Sequence, residues 1–262
     1  MKVCSFLIVF IACVFSVLGQ ATPYPYVREA DIMWGKCIWR VVDFRDKINQ
    51  YLFYPLDENN NRINLITVLQ NGIRGGLIIP YDPIEGDDFK LKMNSETALK
   101  IGCRIDSIPI YDANPPYDLL GYMADTISFD PFSVKRLKIK EDWFFDMKRS
   151  VMEVRIVGIC PVMDVFDNGT GEFLYQRDMF WINYNQARNF LSTYKIYNPY
   201  NNAQPISYDD AFIKRMFSSL IYKEDNTHDR RIEDYVKGLD ALLEAERIKI
   251  KLFIFEHDLW EE

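Results

Sequence analysis

An α+β fold, with an antiparallel sheet meander over about residues 134–184 and amphipathic helices packed at both ends, follows from three observations. Period-two alternation of apolar and polar residues is concentrated in that central block. Apolar spacings of three and four dominate the blocks before and after it. Strands and helices held in separate blocks belong to an antiparallel α+β design rather than a doubly wound parallel sheet. The 262 residues are 48% apolar and 15% aromatic, ample for a packed core. We expect a single domain over 20–262, with a candidate subdomain boundary in 109–131.

The chain opens with Lys2, an apolar run from Val3 to Leu18, and then Gly19, Gln20 and Ala21. That is the order of a secretory signal peptide, with cleavage expected between Gly19 and Gln20. A rival lipoprotein reading of Ile11-Ala12-Cys13 is weaker, because the apolar run continues past Cys13 to Leu18. Nothing later approaches the roughly 20 apolar residues that span a bilayer. The chain carries 31 basic against 38 acidic residues, and loss of residues 1–19 removes one Lys. An acidic chain without clustered Lys and Arg is a poor partner for nucleic acid.

From Glu29 to Asn49, Met33, Cys37, Val41 and Phe44 recur at spacings of four, four and three, which predicts an amphipathic helix widened by Trp34, Ile38 and Trp39. Asp57 to Arg62 is a polar loop. Asn64 to Gln70 with Gly72 beyond predicts a short glycine-capped helix, and Gly75-Gly76 turns the chain into a strand over Leu77 to Tyr81. Asn94, Ser95 and Glu96 before Thr97 to Ile101 and Gly102 supply a start cap and a stop for another helix. Pro109, Pro115, Pro116 and Pro131 punctuate a stretch read as a long surface loop.

In the central block Leu137 and Ile139 alternate with lysines, and Met152, Val154 and Ile156 alternate with Glu153 and Arg155. Asp167 to Gly171 supplies turn residues, so Met152 to Asp167 and Glu172 to Tyr184 should form an antiparallel hairpin. Ser207 with Asp210 makes a capping box ahead of a helix lined by Phe212, Met216, Phe217, Leu220 and Ile221. Ile232, Tyr235, Val236, Leu239, Leu242 and Leu243 line a further helix. Lys249 to Phe255 alternates and is read as a closing strand, with a continued helix as the alternative.

Chemistry is sparse. Once the first 19 residues are set aside, Cys37, Cys103 and Cys160 remain, an odd set without CxxC spacing, read as buried thiols or one bridge plus a free thiol. Only His228 and His257 can serve histidine chemistry. Glu256-His257-Asp258 cannot converge on one metal, because neighbouring residues point in different directions. Asp229 reads as a cap. Glu141-Asp142 and Asp87-Asp88 are carboxylate pairs of the kind a glycosidase uses, and equally of the kind found on many surfaces. No phosphate loop, nucleophile elbow or HExxH occurs. No catalytic, metal or cofactor residue is assigned. Asn168-Gly169-Thr170 matches a glycosylation acceptor but is already accounted for as a turn. The run Trp143, Phe144 and Phe145 cannot sit on one face of a strand, so with Arg149 it is the candidate partner-contact surface. Two apolar layers covering both sheet faces would account for the same run.

Three blocks carry a resemblance. They are Asp31 to Asp43 with Arg45 and the Phe53-Tyr54-Pro55 turn, Glu141 to Asp146 with Arg149 and Glu153 to Pro161, and Tyr208 to Asp210 with Asp240 to Arg247 and Glu256 to Trp260. Together they resemble the GldN/PorN family of the gliding motility and type IX secretion apparatus. The resemblance implies a non-enzymatic, periplasmic ring component without cofactors. It further implies assembly with a GldK/PorK-like lipoprotein at the outer membrane, contact with a GldM/PorM-like motor protein, and self-association within the ring. The competing classes are a periplasmic binding protein with a preformed cleft and a hydrolase with convergent, pKa-shifted groups.

Overall fold

The computed structural model describes residues 21–59, 62–84, 86–111, 119–127, 129–167, 170–199, 201 and 204–259. The signal-peptide reading, with its Gly19–Gln20 junction, lies outside them, as do Pro115, Pro116 and the turn residues Asn168 and Gly169. Among the described residues no helix is long and apolar enough to cross a membrane.

The elements in chain order are β1 (Ile32–Asp43), α1 (Gln50–Phe53), α2 (Leu65–Arg74), β2 (Pro80–Tyr81), α3 (Ser95–Lys100), β3 (Arg104–Tyr111) and β4 (Leu119–Ile127). There follow β5 (Val134–Asp146), β6 (Val151–Phe166), β7 (Phe173–Asp178), β8 (Trp181–Asn183), α4 (Tyr184–Leu191), β9 (Lys195–Ile196) and β10 (Ile206–Ser207). The chain closes with α5 (Tyr208–Ile213), β11 (Leu220–Glu224) and α6 (Leu239–Asp258). The fold is α+β, as expected. A seven-stranded sheet runs β11-β1-β5-β6-β8-β2, and β7 joins the end of β6 beyond β8. The anticipated meander is its centre: β5 pairs β6, and β6 pairs β7 and β8, all antiparallel.

The first helix is corrected to a strand. β1 lies between β5 and β11, with Trp39 opposite both Lys140 and Lys223. Ile38 and Val42 face one layer while Trp39 packs with Tyr81, Cys160 and Trp181 on the other. A strand covered on both faces is apolar at both parities, and its residues then mimic a helical stripe. Ile32, Trp34, Ile38, Val41 and Val42 are the β-branched and aromatic residues that favour the strand.

The short helices are closer to expectation. The Asn64 side chain accepts from the Thr67 amide at 2.8 Å and that of Asn94 from the Glu96 amide at 3.0 Å, each capping its helix. Gly72 does not end α2: it is buried inside it, where an added Cβ would come within 2.5 Å of Ile78 Cδ1. Strand β2 is only Pro80–Tyr81. The proline-punctuated stretch contains a hairpin instead of a bare loop, with Pro109 of β3 opposite Tyr122 of β4.

The Ser207–Asp210 capping box forms, with the Asp210 amide donating to Ser207 Oγ at 3.1 Å. The helix expected to run on to Ile221 stops at Ile213. Arg215 takes a left-handed φ of 51°, and the Met216 amide bonds back to Ala211 O at 3.0 Å, a Schellman-type stop with arginine where glycine is usual. Leu220 and Ile221 therefore belong to β11. Ile232 and Tyr235 precede the last helix, which starts only after Gly238 (φ 64°), and Asp229 (φ 52°) lies in a loop and caps no helix. The closing strand is also corrected, because residues 249–255 continue α6 to Asp258.

The main core sets Val42, Leu137, Ile139 and Ile159 of the sheet against α1, α2, α4 and α5. A second cluster packs Ala245, Ile248 and Leu252 of α6 on Ile38 and Ile221. Helical geometry over 249–255 separates two neighbours that a strand would place alike: Leu252 is buried and Ile254 is exposed. Leu252→Ala is expected to lower stability by about 2–4 kcal/mol, and Ile254→Ala by less than about 1 kcal/mol. Urea unfolding of the two variants checks this; equal losses would contradict the helix.

Candidate functional site

The most concentrated polar arrangement is built where β1, β5 and the segment after α5 meet. The Glu141 side chain is fully buried. Its Oε2 accepts from Arg40 Nε at 2.9 Å and from Trp143 Nε1 at 2.9 Å, and its Oε1 accepts from Arg215 Nη2 at 2.7 Å. Both guanidinium carbons stand 5.7 Å from the Trp143 ring centroid. Burial, which disfavours its charged form, pulls the Arg40 guanidinium below its ordinary pKa, and the pull of Glu141 opposes that. A groove of about 580 Å³ opens beside this cluster, bounded by Trp143, Arg215 and Phe217 and by Ile250 and Phe253 of α6.

The arrangement holds β1, β5 and the segment after α5 together around one carboxylate. Both oxygens of Glu141 are occupied by donors, no histidine or cysteine lines the groove, and of its two serines Ser219 accepts from Arg40 Nη1 at 3.5 Å. The suspected carboxylate pair is split: Asp142, the next residue along β5, lies on the opposite face and accepts from the Cys37 thiol at 3.0 Å. Burial, and then this carboxylate, push the Cys37 thiol up to about 12. The second pair is also split, with Asp87 drawn into packing and Asp88 left in an exposed ion pair. Asp87 accepts from Lys140 at 3.2 Å and from the Trp39 indole, while Asp88 accepts from Lys90 at 2.8 Å. His228 sits in an exposed loop and His257 on the exposed side of α6. Among the described residues no group of three or more His, Cys, Asp or Glu could hold a metal ion. Cys37, Cys103 and Cys160 are free thiols.

The candidate contact residues separate by face. Phe144 and Phe145 are buried, Trp143 is half-buried at the groove, and Arg149 is exposed in the β5–β6 turn. Phe144 lies under the Arg155 guanidinium at 4.8 Å. Arg149 donates to Asp146 at 2.6 Å and also bonds Glu153. Sequence reasoning missed Arg40 and Arg215. An arginine inside the apolar run from Cys37 to Val42 was the available signal for the first; nothing local marked the second.

Fold and site together define a class: an antiparallel α+β domain whose ionisable clusters are absorbed into packing between its layers. A model of the family described as gliding motility associated protein GldN matches residues 27–261, and the chain belongs to that family. It is therefore a gliding motility associated protein. No curated protein matches the chain at a significant level.

Two predictions test the electrostatics. Glu141→Gln leaves two guanidinium groups facing a neutral amide at a fully buried position and should cost about 3–5 kcal/mol, whereas Glu246→Gln, which breaks an exposed pair with Lys249, should cost less than about 1 kcal/mol. Chemical denaturation of both variants decides whether the cluster matters. Asp43, bonded first by Arg45 and also by Arg136, has its carboxyl lowered to about 2. A depressed carboxyl stabilises the fold above the unfolded value of about 3.9 and loses that contribution as pH falls through the folded value. Asp43→Asn should thus cost up to about 2 kcal/mol at pH 7, with the gap to the parent closing between about pH 4 and pH 2. A pH-independent gap would refute the assignment.

Proposed function

We propose that the chain is a non-enzymatic structural subunit of the type IX protein secretion and gliding motility machinery. In this reading it works in the periplasm, is held at the outer membrane through a GldK/PorK-like lipoprotein, contacts a GldM/PorM-like motor protein, and is repeated around a ring. The observation that carries the proposal is family membership over nearly the whole chain, residues 27–261. Two features are in keeping with it. The carboxylates that could have served hydrolysis are bonded to packing partners, and apolar side chains stand exposed along α6 and the β3–β4 hairpin, as on surfaces that meet other proteins.

The test is affinity purification of the tagged chain from native envelopes of the producing cell, with secretion and gliding scored in a deletion strain carrying variants. Co-purification of the lipoprotein and the motor protein, and loss of both activities in the deletion strain, is the expected result. Recovery of a monomer without either protein would overturn the reading. His228→Ala and His257→Ala should leave both activities at parental levels at equal protein abundance. Trp143→Ala should weaken lipoprotein capture by roughly thirtyfold if that indole is an interface anchor, while Phe144→Ala and Phe145→Ala, both buried, should act mainly through stability. If lipoprotein capture by Trp143→Ala falls only in step with its melting temperature, the contact role is wrong.

A further inference from the structure

Helix α6 is apolar on two opposite sides. At about 100° per residue, Ala241, Ala245, Ile248, Leu252 and Phe255 form one stripe, and this stripe packs on Ile38, Ile221 and Trp34 of the sheet. The opposite stripe contains Leu239, Leu242, Leu243, Ile250, Phe253 and Ile254, which are 49–71% exposed. One apolar stripe suffices for a helix that packs on a single layer, an exposed second stripe marks a contact surface, and nothing among the described residues covers this one.

We infer that this face binds the same face of a second copy of the chain, the two α6 helices running antiparallel about a two-fold axis. Charge order selects that occupant. Along one flank of the exposed stripe the residues are Asp240, Glu244, Arg247 and Lys251, acidic in the first half and basic in the second. A two-fold axis perpendicular to the helices brings that flank against itself in reverse order, so its acidic half meets the partner's basic half at both ends of the contact. When Leu243 of one copy is level with Phe253 of its partner, Glu244 is level with the partner's Lys251 to within a residue. On the other flank, which carries Glu246, Lys249 and Glu256, Glu246 is level with the partner's Lys249 to within a residue; parallel pairing would instead set the two flanks against each other, where Arg247 meets the partner's Glu246 but Glu244 lies beside that same Glu246 and Lys251 beside Lys249. The helix bears more acidic than basic side chains, which disfavours an anionic lipid surface as the occupant. The contact is independent of the ring reading: a two-fold interface closes on itself, whereas a ring requires head-to-tail contacts.

Sedimentation velocity of the purified chain, from about 1 to 100 μM, the range that separates a transient from a stable pair, should show a concentration-dependent dimer. Leu243→Glu and, independently, Phe253→Glu should weaken it by about thirtyfold or more with unchanged melting of the monomer, since both positions are exposed. Glu244→Lys should weaken the dimer, and Glu244→Lys with Lys251→Glu should restore it. Under mild oxidation the Leu243→Cys/Phe253→Cys double variant should form intermolecular disulfides, and each single variant should stay at the background set by Cys37, Cys103 and Cys160. A monomer throughout, a dimer indifferent to both glutamate variants, or equal cross-linking by Leu243→Cys alone would overturn the proposal. So would flotation of a monomeric chain with phosphatidylglycerol vesicles.

Discussion

The buried carboxylate of Glu141 ties together three parts of the chain that are distant in sequence. Arg40 belongs to β1, Glu141 and Trp143 to β5, and Arg215 to the turn that follows α5. Removing a carboxylate and a guanidinium from water costs several kcal/mol each, so the cluster is tolerable only with every donor in place. That requirement reaches the backbone. Arg215 adopts a left-handed φ of 51°, which costs a non-glycine residue about 1 kcal/mol or more, and its bond to Glu141 holds the side chain where that conformation puts it. The turn stops α5 and directs the chain into β11, the edge strand beside β1. Topology and electrostatics are thus coupled at a single carboxylate.

A second buried network repeats the pattern on the helical side. Asp209 accepts from Tyr184 Oη at 2.8 Å and from Arg188 Nε at 2.9 Å, linking α4 to α5. Arg188 also donates to Thr22 O at 2.6 Å and lies 4.3 Å from the Tyr24 ring, and Arg155 donates to Pro25 O at 2.7 Å. The arm before β1 is therefore strapped to the body by two arginines that already serve the sheet and the helices. Buried charge in this molecule specifies which elements meet, in addition to whatever stability the pairs contribute.

What could be read in the sequence was whatever depended on neighbours in sequence. The side-chain caps at Asn94 and Ser207 and the β5–β6–β7 meander follow from residues a few positions apart, and the structure contains them all. Elements whose pattern is set by distant layers were misread. β1 gained a helical period because α6 covers one side of it and Tyr81, Cys160 and Trp181 the other. The Glu141 cluster was invisible because Arg40 and Arg215 lie 101 and 74 positions away from it. The adjacency of Glu141 and Asp142 is visible in sequence, whereas the distant partners that occupy them, Arg40 and Arg215 on one face and Cys37 on the other, are not. The family blocks were legible for a different reason: they span strand, turn and helix together, so a resemblance across all of them does not depend on assigning any one correctly.

The misreading of residues 249–255 has the same origin as the exposed face of α6. Ile248 and Leu252 belong to the stripe packed on the sheet, while Ile250 and Ile254 belong to the stripe on the far side. Residues four apart lie on one face of a helix and residues two apart lie nearly opposite, so two interleaved stripes produce an apolar residue at every second position. That is the signature of a strand. A helix needing only one apolar face has no reason to carry it, because lysine or glutamate at positions 250 and 254 would serve solubility and helix propensity better. The alternation that imitates a strand is therefore the trace of a second packing requirement, one that the described residues leave open and that a second copy can meet.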